Sequence, residues 1–154
     1  MSVVALIDFD PATRAATGHR LADADEPLLQ VAELGATRGD GIFETASLVR
    51  GHVQALEAHL ERFVQSAAML QLPAPDVDVW RDAVRAVGGA LTEAGVAEGA
   101  IKFVLTRGIE GTGVPTGWVH GTVSPDFAAD RADGVRIVLL DRGYRHDVPR
   151  TAPW

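Results

Sequence analysis

The chain has 154 residues, 14 Lys and Arg against 21 Asp and Glu, a net charge of −7 and 47% hydrophobic residues, which predicts one globular domain with the beginning of another. With Lys102 as its single lysine it offers no basic patch for nucleic acid, and with no cysteine it has neither disulfides nor thiolate metal sites. No signal peptide and no apolar run of membrane-spanning length is present, so a cytoplasmic protein is expected.

In chain order, Val3 to Ile7 reads as a first strand, and residues 8–30, with Pro11, Gly18 and Pro27, as loop containing some short strand. Gly39 and Gly41 bracket Asp40 in a turn that needs unusual backbone angles. Ile42 to Val49 has strand composition, Arg50-Gly51 reverses the chain, and His52 to Ala55 pairs back. The period then changes. Leu56, Leu60, Phe63, Ala67 and Leu70 fall on one helix face, with Glu57, Glu61 and Gln65 opposite and His59, Arg62 and Ser66 along the edge. Pro73 closes that helix.

Aspartates between Pro73 and Asp78 cap a second helix whose apolar face is Trp80, Val84, Val87 and Leu91, ending near Gly95. Gly88-Gly89 inside it predicts a bend or a close packing partner. Ile101 to Thr106 is a strand, Arg107 to Gly117 a glycine-rich loop and Trp118 to Val123 another strand. Residues 125–133 read as a linker, and GVRIVLLD, Gly134 to Asp141, as a further strand.

The string RGDGIFET followed by LEAHLERFVQSAAMLQL resembles the opening domain of the fold-type IV pyridoxal-phosphate enzymes. These include aminodeoxychorismate lyases, D-amino-acid transaminases and branched-chain aminotransferases. Their pattern is met at Gly39, Asp40, Gly41, Phe43, Glu44, His59, Leu60, Arg62, Phe63, Ser66 and Ala67. The resemblance implies an α+β fold: a small N-terminal domain with a mainly antiparallel sheet and two packed helices, plus the first strand of a second domain. It places that domain at 1–126, an interdomain linker at 127–133 and the start of a truncated second domain at 134–154. A segment like PRTAPW lies, in the family, a few residues before the Schiff-base lysine. That lysine is therefore expected beyond Trp154, and Lys102 is not its substitute.

The resemblance also implies roles. Arg62 would bind the phosphate of pyridoxal 5′-phosphate, where a planar guanidinium suits paired contact with phosphate oxygens. On residue chemistry alone, a helix arginine among glutamates is a surface ion-pair member. His59 reads as a structural hydrogen-bonding residue. Glu44 and Thr45 point to opposite faces of their strand, so at most one faces a pocket wall on the substrate side. Arg107, in TRGIEGTG, meets a substrate carboxylate or else holds the loop. His19, His52, His120 and His146 have no metal-ligand spacing, and no metal is expected.

Within the family, branched-chain enzymes carry glycine after the glutamate where this chain has Thr45, and D-amino-acid transaminases carry an R-x-H pair where it has Thr112 and Val114. The resemblance is then nearest to aminodeoxychorismate lyase, which eliminates pyruvate to leave 4-aminobenzoate for folate biosynthesis. It implies a small-molecule substrate, a homodimer, and no nucleic-acid or membrane partner. A D-amino-acid or branched-chain aminotransferase is the alternative. A reading of another class makes the isolated chain a non-catalytic dimerisation or interaction domain.

Overall fold

The computed structural model describes residues 1–141 together with Gly143 and Asp147. The PRTAPW segment and His146 lie outside the described residues. Residues 1–123 form one compact unit, and the described residues from Ser124 onward belong to a second.

In the first unit the chain runs β1 (Ser2–Phe9), β2 (Ala16–Ala22), α1 (Leu34–Arg38), β3 (Gly41–Val49), β4 (His52–Val53), α2 (Leu56–Met69), α3 (Val77–Glu93), β5 (Glu98–Thr106) and β6 (Thr116–Val123). All strand pairs are antiparallel, in the order β2-β1-β6-β5-β3-β4. The expected mainly antiparallel sheet with two packed helices is therefore present. Strand β2 lies in the stretch read as loop with some short strand, and α1 is an addition.

The alternation of β3 sets the two faces of the sheet. Ile42, Glu44, Ala46 and Leu48 are buried, whereas Phe43, Thr45, Ser47 and Val49 are exposed. Helix α2 lies over β3, and α3 over β1 and β6. The α2 stripe buries Leu60, Phe63 and Ala67, and α3 buries Trp80, Val84, Val87 and Leu91, as their spacing predicts. Phe63 stands between Trp80 and Phe103, edge-on to both, at centroid distances of 4.8 and 5.0 Å. Those aromatic edges knit helix to helix and helix to sheet. Arg81 of α3 donates Nε to Glu57 Oε1 at 2.9 Å and Nη2 to Oε2 at 2.8 Å, clamping α3 to the start of α2.

Sequence details explain the joints. Asp76 caps α3 by accepting from Asp78 N and Val79 N. Gly88 faces Ile101, Val53 and Leu48, so close packing falls on Gly88, while a Cβ at Gly89 would meet nothing within 4 Å. Gly121 of β6 lets α3 approach the sheet: a Cβ there would stand 2.5 Å from Val87 Cγ1 and 2.7 Å from Leu91 Cδ1. Gly39 ends α1 in the left-handed region at φ 66°, which reverses the chain into β3. Helix α2 stops at Met69, ahead of Pro73, with Gln71 at φ 54°.

The second unit differs from expectation in two places. Residues expected as linker contain a short helix, α4 (Ala128–Asp133), started where Asp126 Oδ1 accepts from Ala128 N at 2.9 Å. Gly134 to Asp141, expected as a strand, forms none, and its Val135, Ile137, Val138, Leu139 and Leu140 are exposed. A strand is held by its ladder, and no described segment pairs with this one.

Candidate functional site

The site grows from one inward-pointing residue of β3. Glu44 is an ionisable side chain on the helix-covered face, 8% exposed, and such a group needs partners. Helix α2 supplies them from successive turns, because His59 and Arg62 share its edge. Arg62 donates Nε to Glu44 Oε1 and Nη2 to Oε2, each at 2.5 Å. His59 Nδ1 lies 2.8 Å from Oε2. A carboxylate only accepts, so this geometry assigns the Nδ1 proton to His59. The 3.1 Å approach of Arg62 Nη2 to the same nitrogen is then proximity, not a hydrogen bond.

The Arg62 hydrogen bond holds the Glu44 carboxyl below the usual glutamate value, against burial that pushes it up, with His59 adding a smaller lowering. Glu44 in turn raises the Arg62 guanidinium. Arg62 reaches from this anchor toward solvent, 60% exposed. Its Nε/Nη2 edge is taken, and Nη1 has no partner among the described residues. A free guanidinium edge on a fixed base is chemically suited to a phosphate oxygen. In its chemistry that edge fits the phosphate end of pyridoxal phosphate.

Strand β3 also forms an open edge here. Strand β4 pairs only with Leu48 and Val49, so residues 41–46 have no strand partner on that side among the described residues. Across the sheet from Glu44, Phe43 and Thr45 project outward. Beside them, Lys102 and Val104 of β5 and Trp118 and His120 of β6 share the outer face. Phe43, Lys102, Val104, Trp118 and His120 line a cleft of about 550 Å³. Lys102 Nζ lies 5.0 Å from the centroid of the Phe43 ring, a cation over an aromatic face. Lys102 and His120 are register partners. Thr45 belongs to this outer face and Glu44 to the other, as their alternation requires.

Arg107 is placed elsewhere. It donates Nε to Asp40 Oδ2 at 2.8 Å, Nη2 to Leu70 O at 2.9 Å and Nη1 to Gln71 O at 3.3 Å. It thus closes the carbonyl end of α2 onto the glycine-bracketed turn, which favours holding the loop over meeting a substrate. Thr112 is exposed, but its hydroxyl bonds within its own loop, donating to Ile109 O at 2.9 Å and accepting from Val114 N.

Sequence reasoning missed Glu33, which is 1% exposed. Its Oε1 accepts from Thr106 Oγ1 at 2.5 Å and from Gly35 N at 3.1 Å. Leu34 N donates to Gly108 O, and Arg38 Nη2 to Glu110 Oε1 at 2.7 Å. The segment before the turn and the TRGIEGTG loop are therefore laced together. A glutamate in a loop has no pattern that marks it as buried. Trp118 and His120 were missed as cleft residues because β6 was read without its partners.

No helix among the described residues is long and apolar enough to cross a membrane, and none of their His, Asp and Glu form a group able to hold a metal.

Residues 41–142 match the family model described as amino-transferase class IV. The chain is 41% identical over 131 residues to the bifunctional aminodeoxychorismate lyase / D-amino acid transaminase of Mycobacterium tuberculosis, covering 83% of this chain and 45% of that protein. It superposes on the fold IV-transaminase CpuTA1 from Curtobacterium pusillum with a TM-score of 0.87 and 46% identity, covering 100% of this chain and 53% of that one. A hypothetical aminotransferase from Mycobacterium tuberculosis in its PLP-bound form gives a TM-score of 0.84 at 34% identity, covering 100% of this chain and 51% of that chain. The chain thus spans about half the length of these relatives.

Proposed function

This chain belongs to the class IV aminotransferase family, and from that premise we propose that it is the cofactor-phosphate and substrate-wall portion of a pyridoxal-phosphate-dependent aminodeoxychorismate lyase. The observation that carries the cofactor assignment is the free Nη1 edge of Arg62, held on Glu44 and facing solvent. The reaction is elimination of pyruvate from 4-amino-4-deoxychorismate, leaving 4-aminobenzoate. Bound pyridoxal phosphate supplies an electron sink for the bond that breaks.

This chain's residues bind and orient. Arg62 offers paired N–H groups to the phosphate, which fixes one end of the cofactor and hence the direction of its ring. Glu44, which holds Arg62, lies on one face of β3 and Phe43 and Thr45 on the other, and residues 41–46 form an open strand edge between the two faces. Phe43, Val104 and Trp118 form an apolar wall that excludes water from a ring substrate. Lys102 stands at that wall as a cation able to meet a substrate carboxylate, beside His120, whose Nε2 is paired with Ser2 Oγ at 2.5 Å. The covalent lysine is expected outside this chain, and a homodimer in solution is part of the same proposal.

D-amino-acid transamination is the second reading, favoured by the bifunctional name of the mycobacterial relative. Against it, Thr112 and Val114 stand where an R-x-H pair would hold a small substrate's carboxylate, and the Thr112 hydroxyl is spent within its own loop. The test is to compare kcat/KM of the natural full-length protein for 4-amino-4-deoxychorismate and for D-alanine with an oxo-acid acceptor. The lyase reading expects elimination to be faster. Faster transamination moves the assignment to the second reading.

A further inference from the structure

A guanidinium meets a phosphate through paired N–H groups only when its plane is fixed, and a free arginine on a helix surface samples many rotamers. Arg62 is 60% exposed, yet its plane is not free. Nε and Nη2 each lie 2.5 Å from a different oxygen of Glu44. The anchor is itself anchored. Glu44 is 8% exposed, sits mid-strand in β3 and accepts the His59 Nδ1 proton on Oε2 at 2.8 Å. Its carboxyl is held low by the Arg62 hydrogen bond, so it remains a carboxylate at neutral pH.

We propose that Glu44 is a positioning residue for cofactor binding: it fixes the Nε/Nη2 edge of Arg62 so that the Nη1 side is presented to the phosphate, while His59 fixes Glu44. The inference rests on the reading of Arg62 as a phosphate contact. Charge alone argues the other way, because a carboxylate beside the guanidinium competes with a phosphate for it. Geometry decides between the two effects. Glu44 takes one edge and leaves another, so carboxylate and phosphate do not claim the same N–H groups. Losing the anchor frees Arg62 to rotate, and orientation is then supplied at the expense of phosphate binding.

The test separates the phosphate from the rest of the cofactor. Pyridoxal 5′-phosphate and phosphate-free pyridoxal are titrated into the natural full-length protein, and the ratio of the two Kd values isolates the phosphate contribution. Arg62→Ala should cut that ratio by roughly ten- to a hundredfold, and Glu44→Gln by roughly three- to tenfold, with pyridoxal binding unchanged. In an Arg62→Ala background, Glu44→Gln should add nothing, because Glu44 acts through Arg62. Glu44→Asp keeps the charge but is one methylene short of the bidentate contact, so it should resemble Glu44→Gln. Where circular dichroism finds Glu44→Gln unfolded, Glu44→Asp decides. A ratio unchanged or increased by the Glu44 variants overturns the proposal, as does an equal loss with and without Arg62. A ratio unchanged by Arg62→Ala instead sinks the phosphate-binding reading itself, and the positioning role with it.

Discussion

Arg107 and Asp40, 67 positions apart, are joined by two bonds: Arg107 N donates to Asp40 O at 3.1 Å and Arg107 Nε to Asp40 Oδ2 at 2.8 Å. One arginine thereby ties the turn that opens β3 to the loop after β5, and its two terminal nitrogens close the end of α2. Three elements around the candidate site depend on that side chain. Arg107→Ala should therefore lower stability by about 1–2 kcal/mol, the range for charge-assisted hydrogen bonds that are partly exposed. Urea unfolding measures it. Unchanged stability with a large rise in KM would return Arg107 to the substrate.

Gly121 tests the packing of α3 on the sheet. A methyl group there meets the side-chain ends of Val87 and Leu91, both fully buried, so that packed side chains have to shift. Overpacking of this kind costs about 1–3 kcal/mol, so Gly121→Ala should lower Tm by roughly 3–10 °C. A variant as stable as the parent would mean that α3 shifts without cost.

Acid stability should report on Glu44. Its folded pKa lies below the ordinary glutamate value of 4.5, held down first by Arg62 and then, less, by His59. A depressed folded pKa means that the unfolded chain binds the proton more readily. The contribution is present above the unfolded value and is lost as pH falls through the folded one. Glu44→Gln should thus flatten the acid limb of stability below about pH 4.5. Parallel acid limbs in parent and variant would assign the acid sensitivity to other carboxylates, such as Glu57 beside Arg81.

Much of this arrangement was legible because it repeats a period. The α2 and α3 stripes, the β3 alternation and the Arg50-Gly51 reversal each follow from local spacing, and the structure places Leu60, Phe63, Trp80 and Val87 in the core accordingly. The strand β2 was less legible because ATGHRLA has no apolar alternation: it is a half-exposed edge whose ladder with β1 holds it. Helix α1 is too short to express a period. The edge position of His59 and Arg62 was readable, but their shared partner Glu44 was not, since only the packing of α2 on β3 brings residues 15 and 18 positions apart together. The apolar run 134–141 has strand composition, and composition alone does not form a ladder.

Lys102 separates cofactor chemistry from substrate contact. Its ammonium lies over the Phe43 ring on an outer strand face. Lys102→Arg keeps a cation there, so the natural full-length protein should retain its visible cofactor absorption band. Loss of that band, or a borohydride-stable cofactor adduct mapped to Lys102, would make Lys102 the covalent lysine.

The central claim is that Arg62 holds the cofactor phosphate, and its most direct test is a pyridoxal 5′-phosphate titration of Arg62→Ala in the natural full-length protein. Arg62 lies beside the apolar stripe of α2 and is 60% exposed, so its truncation opens no core cavity. Losing a charge-assisted paired contact should raise Kd by roughly ten- to a hundredfold, with Arg62→Lys recovering part of it. Circular dichroism should match the parent. A folded Arg62→Ala variant that binds the cofactor as tightly as the parent would contradict the account and leave Arg62 a surface ion-pair residue of Glu44.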